Sequence, residues 1–171
     1  GHGTHVASVA AGRPATYGTA PDLTGIAPGA KIIDVQVLGA DGAGTLSDTL
    51  EGIQWAIYNA KAHNIRVLNL SLAANSTDSW QIDPLCAAVR SATAAGITVV
   101  VAAGNYGKDA LGNVVYGSIA APGNDPSVIT VGSLNTKATA ERGDDTINTF
   151  SSRGPTRGKL LDAITTAKPT F

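Results

Sequence analysis

The sequence predicts an α/β fold: three layers, with a mostly parallel central sheet and helices on both faces. Two observations carry this. Short runs of β-branched residues alternate with stretches whose apolar positions recur at helical spacing. The third such run, ITVVVAAG (Ile97–Gly104), is apolar at nearly every position, as a strand buried on both faces is.

Each element has a local reason. Residues 4–11, THVASVAA, are small and largely apolar and stop at Gly12, which predicts a helix with Thr4 near its N-cap. A loop rich in Gly, Pro and Thr spans Arg13–Gly25. AKIIDVQVL (Ala30–Leu38) predicts a buried strand, followed by the glycine turn GADGAG. Leu46, Leu50, Ile53 and Ile57 then line one helix face, and Thr45 with Asp48 forms a capping box at its start. IRVLNLSLA (Ile65–Ala73) predicts a second strand. Asp83-Pro84 suits an N-cap and first turn, Leu85, Ala88, Val89 and Ala92 make the apolar stripe behind it, and Gly96 ends that helix. SVITVGSL (Ser127–Leu134) predicts a fourth strand. No repeat or linker interrupts residues 1–171, which read as one domain or most of one.

Composition narrows the function classes. Net charge is −1 and charged residues are 15% of the chain, so no basic surface for nucleic acid is indicated. No run reaches the ~18 apolar residues of a membrane span, and no signal peptide is visible. The single cysteine, Cys86, rules out an internal disulfide and sits among small apolar residues, as a buried hydrophobe more than as a reactive thiol. The chain has no methionine, which suggests a processed piece or a fragment of a longer product.

In such sheets, ligands bind outside the carboxyl ends of the strands. Three of those ends carry unusual chemistry: VLGADGAG, LNLSLAANS and VVVAAGN. Ahead of them stands GHGTHVASVAAG. His2 just before a helix is a candidate general base, because a helix N-terminus favours the neutral imidazole that such a base needs. Two other readings stay open: a terminal histidine without a role, and a metal pair with His5, which lacks a neighbouring carboxylate and a third ligand. Asn105 closes VVVAAGN. Its carboxamide could donate to a developing oxyanion, or it is a turn residue in the left-handed region.

The blocks GHGTHVASVAAG, LGADGAG, LNLSLA, VVVAAGN, PGNDPSVITVG and FSSRGP occur in this order. As an ordered set they resemble the subtilisin-like serine proteases, from Gly1 to about Pro155. The resemblance implies a subtilisin-like α/β fold, incomplete here, with 1–171 a partial peptidase domain running from the His block to just before the expected Ser block. It implies His2 as general base of an Asp-His-Ser triad, His5 as structural, and Asn105 as the oxyanion donor. It implies Gly42, Ala43 and Gly44 on one side of an extended peptide substrate and Ser71, Leu72 and Ala73 on the other, held by main-chain hydrogen bonds. Ala102, Ala103 and Gly104 would wall the pocket for the residue before the cleaved bond. Where this chain has Ala73 and Ala74 the family often has glycine, and the added methyls narrow the cleft. By the same resemblance the substrate is protein or peptide, the parent is secreted and carries a pro-peptide, and catalysis needs no cofactor. Structural calcium is a family habit. Loop Arg13–Gly25 occupies one such region without matching its pattern, and Asp22 with nearby carbonyls is the candidate ligand set.

The triad of this family runs Asp, His, Ser along the chain. Neither an Asp block before His2 nor a Gly-Thr-Ser-Met-Ala block occurs in residues 1–171. Asp22, Asp34, Ser47, Ser71 and Ser151 lie in segments with other assignments. Lys168-Pro169 resembles a segment that often precedes the Ser block. The chain alone is therefore expected to be inactive. A pseudoprotease that keeps only the peptide cleft is the alternative. An α/β nucleotide-binding domain fits less well, since GADGAG lacks both the dinucleotide glycine register and a Walker lysine.

Overall fold

The computed structural model describes residues 1–14, 18, 21–76 and 78–156. Two compact units divide the chain, Gly1–Asp48 and Thr49 onward. The tail with Lys168-Pro169, Thr77 and most of loop 15–20 lie outside the described residues.

In the first unit, helix α1 spans His2–Ala11 with Gly1 as its N-cap. The expected start near Thr4 is corrected by three residues. Gly1 accepts the first helical bond, from the His5 N–H at 3.2 Å, and glycine serves well at an N-cap. The far end of α1 is closed by chain returning from loop 13–25. Ile26 and Ala27 donate to the Val9 and Ala10 carbonyls at 3.0 and 2.8 Å, satisfying acceptors that a helix end leaves open. Gly25 is required there, since a Cβ would collide with the backbone of Ala11 and Gly12. The Arg13 guanidinium ties the same crossing to the carbonyls of Pro28 and Ala30.

The strand expected at Ala30–Leu38 is not formed. An extended chain becomes a strand only against a ladder partner. No segment pairs with residues 30–38 among the described residues, and Ile32 and Ile33 stay 53% and 40% exposed. At its end the capping box forms as expected: Asp48 N–H donates to Thr45 Oγ1 at 3.1 Å and Thr45 Oγ1 donates to Asp48 Oδ2 at 2.7 Å. Helix α2 spans Leu46–His63.

The second unit is built on three parallel strands in the order β1 (Val67–Leu70), β2 (Thr98–Ala102), β3 (Ile129–Val131). Leu68 pairs with Val99 and Leu70 with Val101, so these four side chains share one face. Ile53 and Ile57 of α2 and Leu85, Val89 and Ala92 of α3 (Pro84–Ala94) pack on that face and make the core. β2 is fully buried only at alternate positions: Val99 and Val101 are closed off, Val100 and Ala102 half-buried. The fourth predicted strand is split. β3 stays in the parallel sheet, while β4 (Leu134–Asn135) pairs antiparallel with β5 (Thr146–Ile147).

Asp83 caps α3 as predicted, accepting from the N–H groups of Leu85 and Cys86 at 2.9 and 3.1 Å. Gly96 follows in the left-handed region at φ +85°. On the buried side of α3, Asp125 has a fully covered side chain and one charged partner, Arg90 Nη1 at 2.5 Å. Ser127 donates to its other oxygen from both N–H and Oγ, at 2.9 and 2.6 Å. Arg90 is held in turn by the Trp80 carbonyl at 2.8 Å and lies 5.3 Å from the Trp80 ring centre. Arg90→Ala should destabilise the fold by about 3 kcal/mol, because it strands a buried carboxylate. Chemical denaturation checks this, and a change below about 1 kcal/mol contradicts a buried charge at Asp125.

Cys86 is fully buried, and its Sγ donates to Asn124 Oδ1 at 3.1 Å. Burial, then the negative charges of Asp83 and Asp125, push the thiol up to about 12 from 9.0. The folded thiol thus stays protonated where the unfolded one ionises, and stability present below pH 9 is lost as pH rises toward 12. In the folded protein Cys86 should resist iodoacetamide at pH 8 and react fully in denaturant, as read by peptide mapping. Labelling of the folded form at the denatured rate would show an open core.

Candidate active site

The candidate residues fall in both units, and each set is built by its own local structure. In the first unit His2 is the first helical residue of α1 and is exposed, as is His5 one turn later. The helix therefore presents His2 from its first turn rather than from the loop ahead of it. Among the described residues no group of three His, Cys, Asp or Glu converges, so the His2–His5 metal reading gains no third ligand.

Gly42–Gly44 forms the turn that leads into α2. Gly42 lies at φ +79°. Gly39 N–H donates to the Ala43 carbonyl at 2.7 Å, and Ala43 N–H to Asp41 Oδ1 at 3.0 Å. Both backbone groups of Ala43 are thus spent within the turn. Gly44 bonds to none of the described residues, and it backs so closely on the Val37 carbonyl that any Cβ would overlap it. Of the three residues, Gly44 is the one with both main-chain groups unbonded among the described residues.

Asp22 is exposed, and its Oδ1 accepts from the Thr24 N–H at 3.0 Å. Hydrogen bonds from the Thr24 side chain and backbone hold its carboxyl below its ordinary value. A single carboxylate turned onto its own backbone does not make a calcium cage, which takes six to eight oxygens. Asp22 is the one carboxylate among the described residues of this loop.

In the second unit, β1 leaves the ladder at Leu70, opposite Val101. Ser71, Leu72 and Ala73 follow beyond the end of the strand. Asn69 Nδ2 donates to Ser71 Oγ at 2.9 Å, Leu72 packs on the core, and Ala74 N–H turns the chain by bonding the Ala121 carbonyl at 2.8 Å. Next door, at the same end of the parallel sheet, β2 runs out into Ala103, Gly104 and Asn105. Ala103 is only 3% exposed, bound to Val131 and Ala120 through its backbone, so its methyl faces the core. Ala102 and Gly104 are the half-exposed pair that could flank a substrate side chain.

Gly104 takes φ +99°, which turns the chain sharply at the strand end. A Cβ there would lie 3.0 Å from Ser152 Oγ and 3.1 Å from Ala120 Cβ, so glycine is required on two grounds. The left-handed position thus belongs to Gly104, and Asn105 is not among the residues with positive φ. This removes the turn-residue account of the asparagine. Its side chain is exposed and bonds to none of the described residues. A carboxamide placed after a strained turn, at a strand's carboxyl end, can donate to an external oxygen.

One residue escaped the sequence reading, where FSSRGP served only as a family marker. Ser152, 6% exposed, donates its N–H to the Gly104 carbonyl at 3.0 Å, and its Oγ accepts from the Tyr106 N–H at 3.0 Å. A serine pair in a glycine- and proline-rich turn was the available signal. Its partner Tyr106, 46 residues earlier, was not visible from sequence.

Known proteins resemble this chain. A model of the subtilase family matches residues 1–167. The chain is 44% identical over 161 residues to a serine protease, AprX, of Bacillus subtilis (strain 168), covering 91% of this chain and 35% of that one. It is 38% identical over 135 residues to subtilisin Savinase of Lederbergia lenta, covering 79% of this chain and 43% of that one. Among solved structures, an S41 psychrophilic protease superposes with a TM-score of 0.72 at 36% identity, covering 92% of this chain and 46% of that one. Sphericase superposes with a TM-score of 0.71 at 30% identity, covering 90% and 46%. The chain belongs to the subtilase family. It spans between about a third and a half of the length of these relatives.

Proposed function

We propose that the chain is the section of a secreted serine endopeptidase that carries the general base and the side-chain oxyanion donor. The observation that supports it best is Asn105: exposed, unbonded, and set after Gly104 at the rim where Ser71–Ala73 also emerge. His2 would take the proton of a serine hydroxyl supplied from outside residues 1–171 and return it to the leaving amine. A carboxylate also outside these residues would hold the imidazole in place. As the scissile carbonyl becomes tetrahedral, its oxygen gains negative charge, and the Asn105 N–H₂ would bond that charge more strongly than it bonds the ground state. Ser71–Ala73 and Gly44 would pair with the extended peptide backbone, which accepts many sequences. Ala102 and Gly104 leave room for a large apolar side chain before the cleaved bond. The chemistry is nucleophilic and acid–base and calls on no cofactor.

The chain of 171 residues alone would bind peptide and not cleave it. A fluorophosphonate probe and a chromogenic peptide test this directly. The full-length protein should be labelled at one serine and turn over the peptide, and the 171-residue chain should do neither. A labelled serine within residues 1–171 overturns the division of the triad. A full-length protein that binds peptide without labelling or turnover supports the pseudoprotease instead.

A further inference from the structure

We infer that Ser152 is a positioning residue for Asn105, a role that rests on the oxyanion function proposed above. Asn105 sits in a loop, and neither its backbone nor its side chain bonds to a described residue. Its place is therefore set by its neighbours. Ser152 holds both of them: its N–H bonds the Gly104 carbonyl and its Oγ takes the Tyr106 N–H, each at 3.0 Å. The three-residue loop is thus clipped on either side of Asn105 by one buried serine.

The clip is itself fixed to the body of the unit. Next to it, Ser151 Oγ accepts from the Ser133 N–H at 3.1 Å, at the end of β3. On the other side, the Arg153 N–H donates to Ser118 Oγ at 2.9 Å. The Gly107 N–H continues the contact by bonding the Phe150 carbonyl at 2.9 Å. Residues 150–153 therefore form a strut anchored along its length, and the asparagine loop hangs from it. An oxyanion donor works only within a narrow range, about 2.7–3.1 Å from the developing charge, so freedom in this loop is paid at the transition state.

Ser152→Ala separates the two halves of the clip. It keeps the backbone bond to Gly104 and deletes the acceptor for Tyr106. In the full-length protease, kcat should fall about three- to tenfold, the worth of one hydrogen bond, with KM within about twofold. The decisive measurement is the double-mutant cycle with Asn105→Ala. If Ser152 acts through Asn105, its replacement costs no further kcat once the carboxamide is gone. Thr93→Ala is the control: it removes a half-buried hydroxyl that bonds the Val89 carbonyl within α3, apart from the strut, and should leave kcat unchanged. If Ser152→Ala fails to fold, Ser152→Cys, which keeps a weaker acceptor in place, goes through the same cycle. A Ser152 effect of equal size in both backgrounds overturns the inference while the oxyanion role stands. An Asn105→Ala protein with undiminished kcat overturns the oxyanion role, and the inference with it.

Discussion

On the proposed function, His2→Ala in the full-length protein should lower kcat about a millionfold and leave KM nearly unchanged. The scale is that of subtilisin itself, a member of the same family, where loss of the histidine costs about as much as loss of the whole triad. The physical reason is that a serine hydroxyl is a poor nucleophile until a base removes its proton as it attacks. The residual rate, about 10³–10⁴ over water, comes from the oxyanion site and from binding. Steady-state kinetics on a peptide anilide measure this. A loss of tenfold or less would remove His2 from the triad and return it to a structural place on the first turn of α1.

Asn105→Ala should lower kcat about a hundred- to a thousandfold, again on the scale known for a single oxyanion donor in subtilisin, with KM within about twofold. The split between kcat and KM matters more than the size. A residue that merely shaped the cleft would change substrate and transition-state binding alike and so raise KM. Asn105→Asp sharpens the comparison. It keeps the shape, removes the donor and sets a negative charge beside the developing one, so it should be slower than Asn105→Ala. An aspartate variant as active as the wild type would show that no charge develops near this position. The exposed site makes these substitutions safe for the fold, since the side chain bonds to none of the described residues.

Much of α2 and α3 was legible in the sequence because the signals are local. The Thr45–Asp48 capping box, the Asp83-Pro84 start of α3 and the stripe Leu85, Val89, Ala92 depend on neighbours three or four residues away. Each appears where the residue pattern places it. Cys86 likewise follows from its apolar surroundings. The candidate site was legible as residue types in order: a histidine at a helix start and an asparagine after a buried strand.

Expectations failed where a distant partner decides. Ala30–Leu38 has the β-branched composition of a strand, yet composition cannot supply a ladder, and no strand pairs with the segment among the described residues. The start of α1 moved because Gly1 caps the helix as well as Thr4 could.

By itself, then, the sequence determined helices α2 and α3 with their N-caps and the strand at β2, though not that β2 is closed off on one face alone. Only the tertiary structure decided that Gly104 rather than Asn105 takes the strained turn, that Ala103 faces inward, and that Ser152 grips the loop from 46 residues away. Helical contacts and caps are short-range and repeat along the chain. A clip between two loops is a single long-range contact, and its geometry exists only once the strands beneath it have paired.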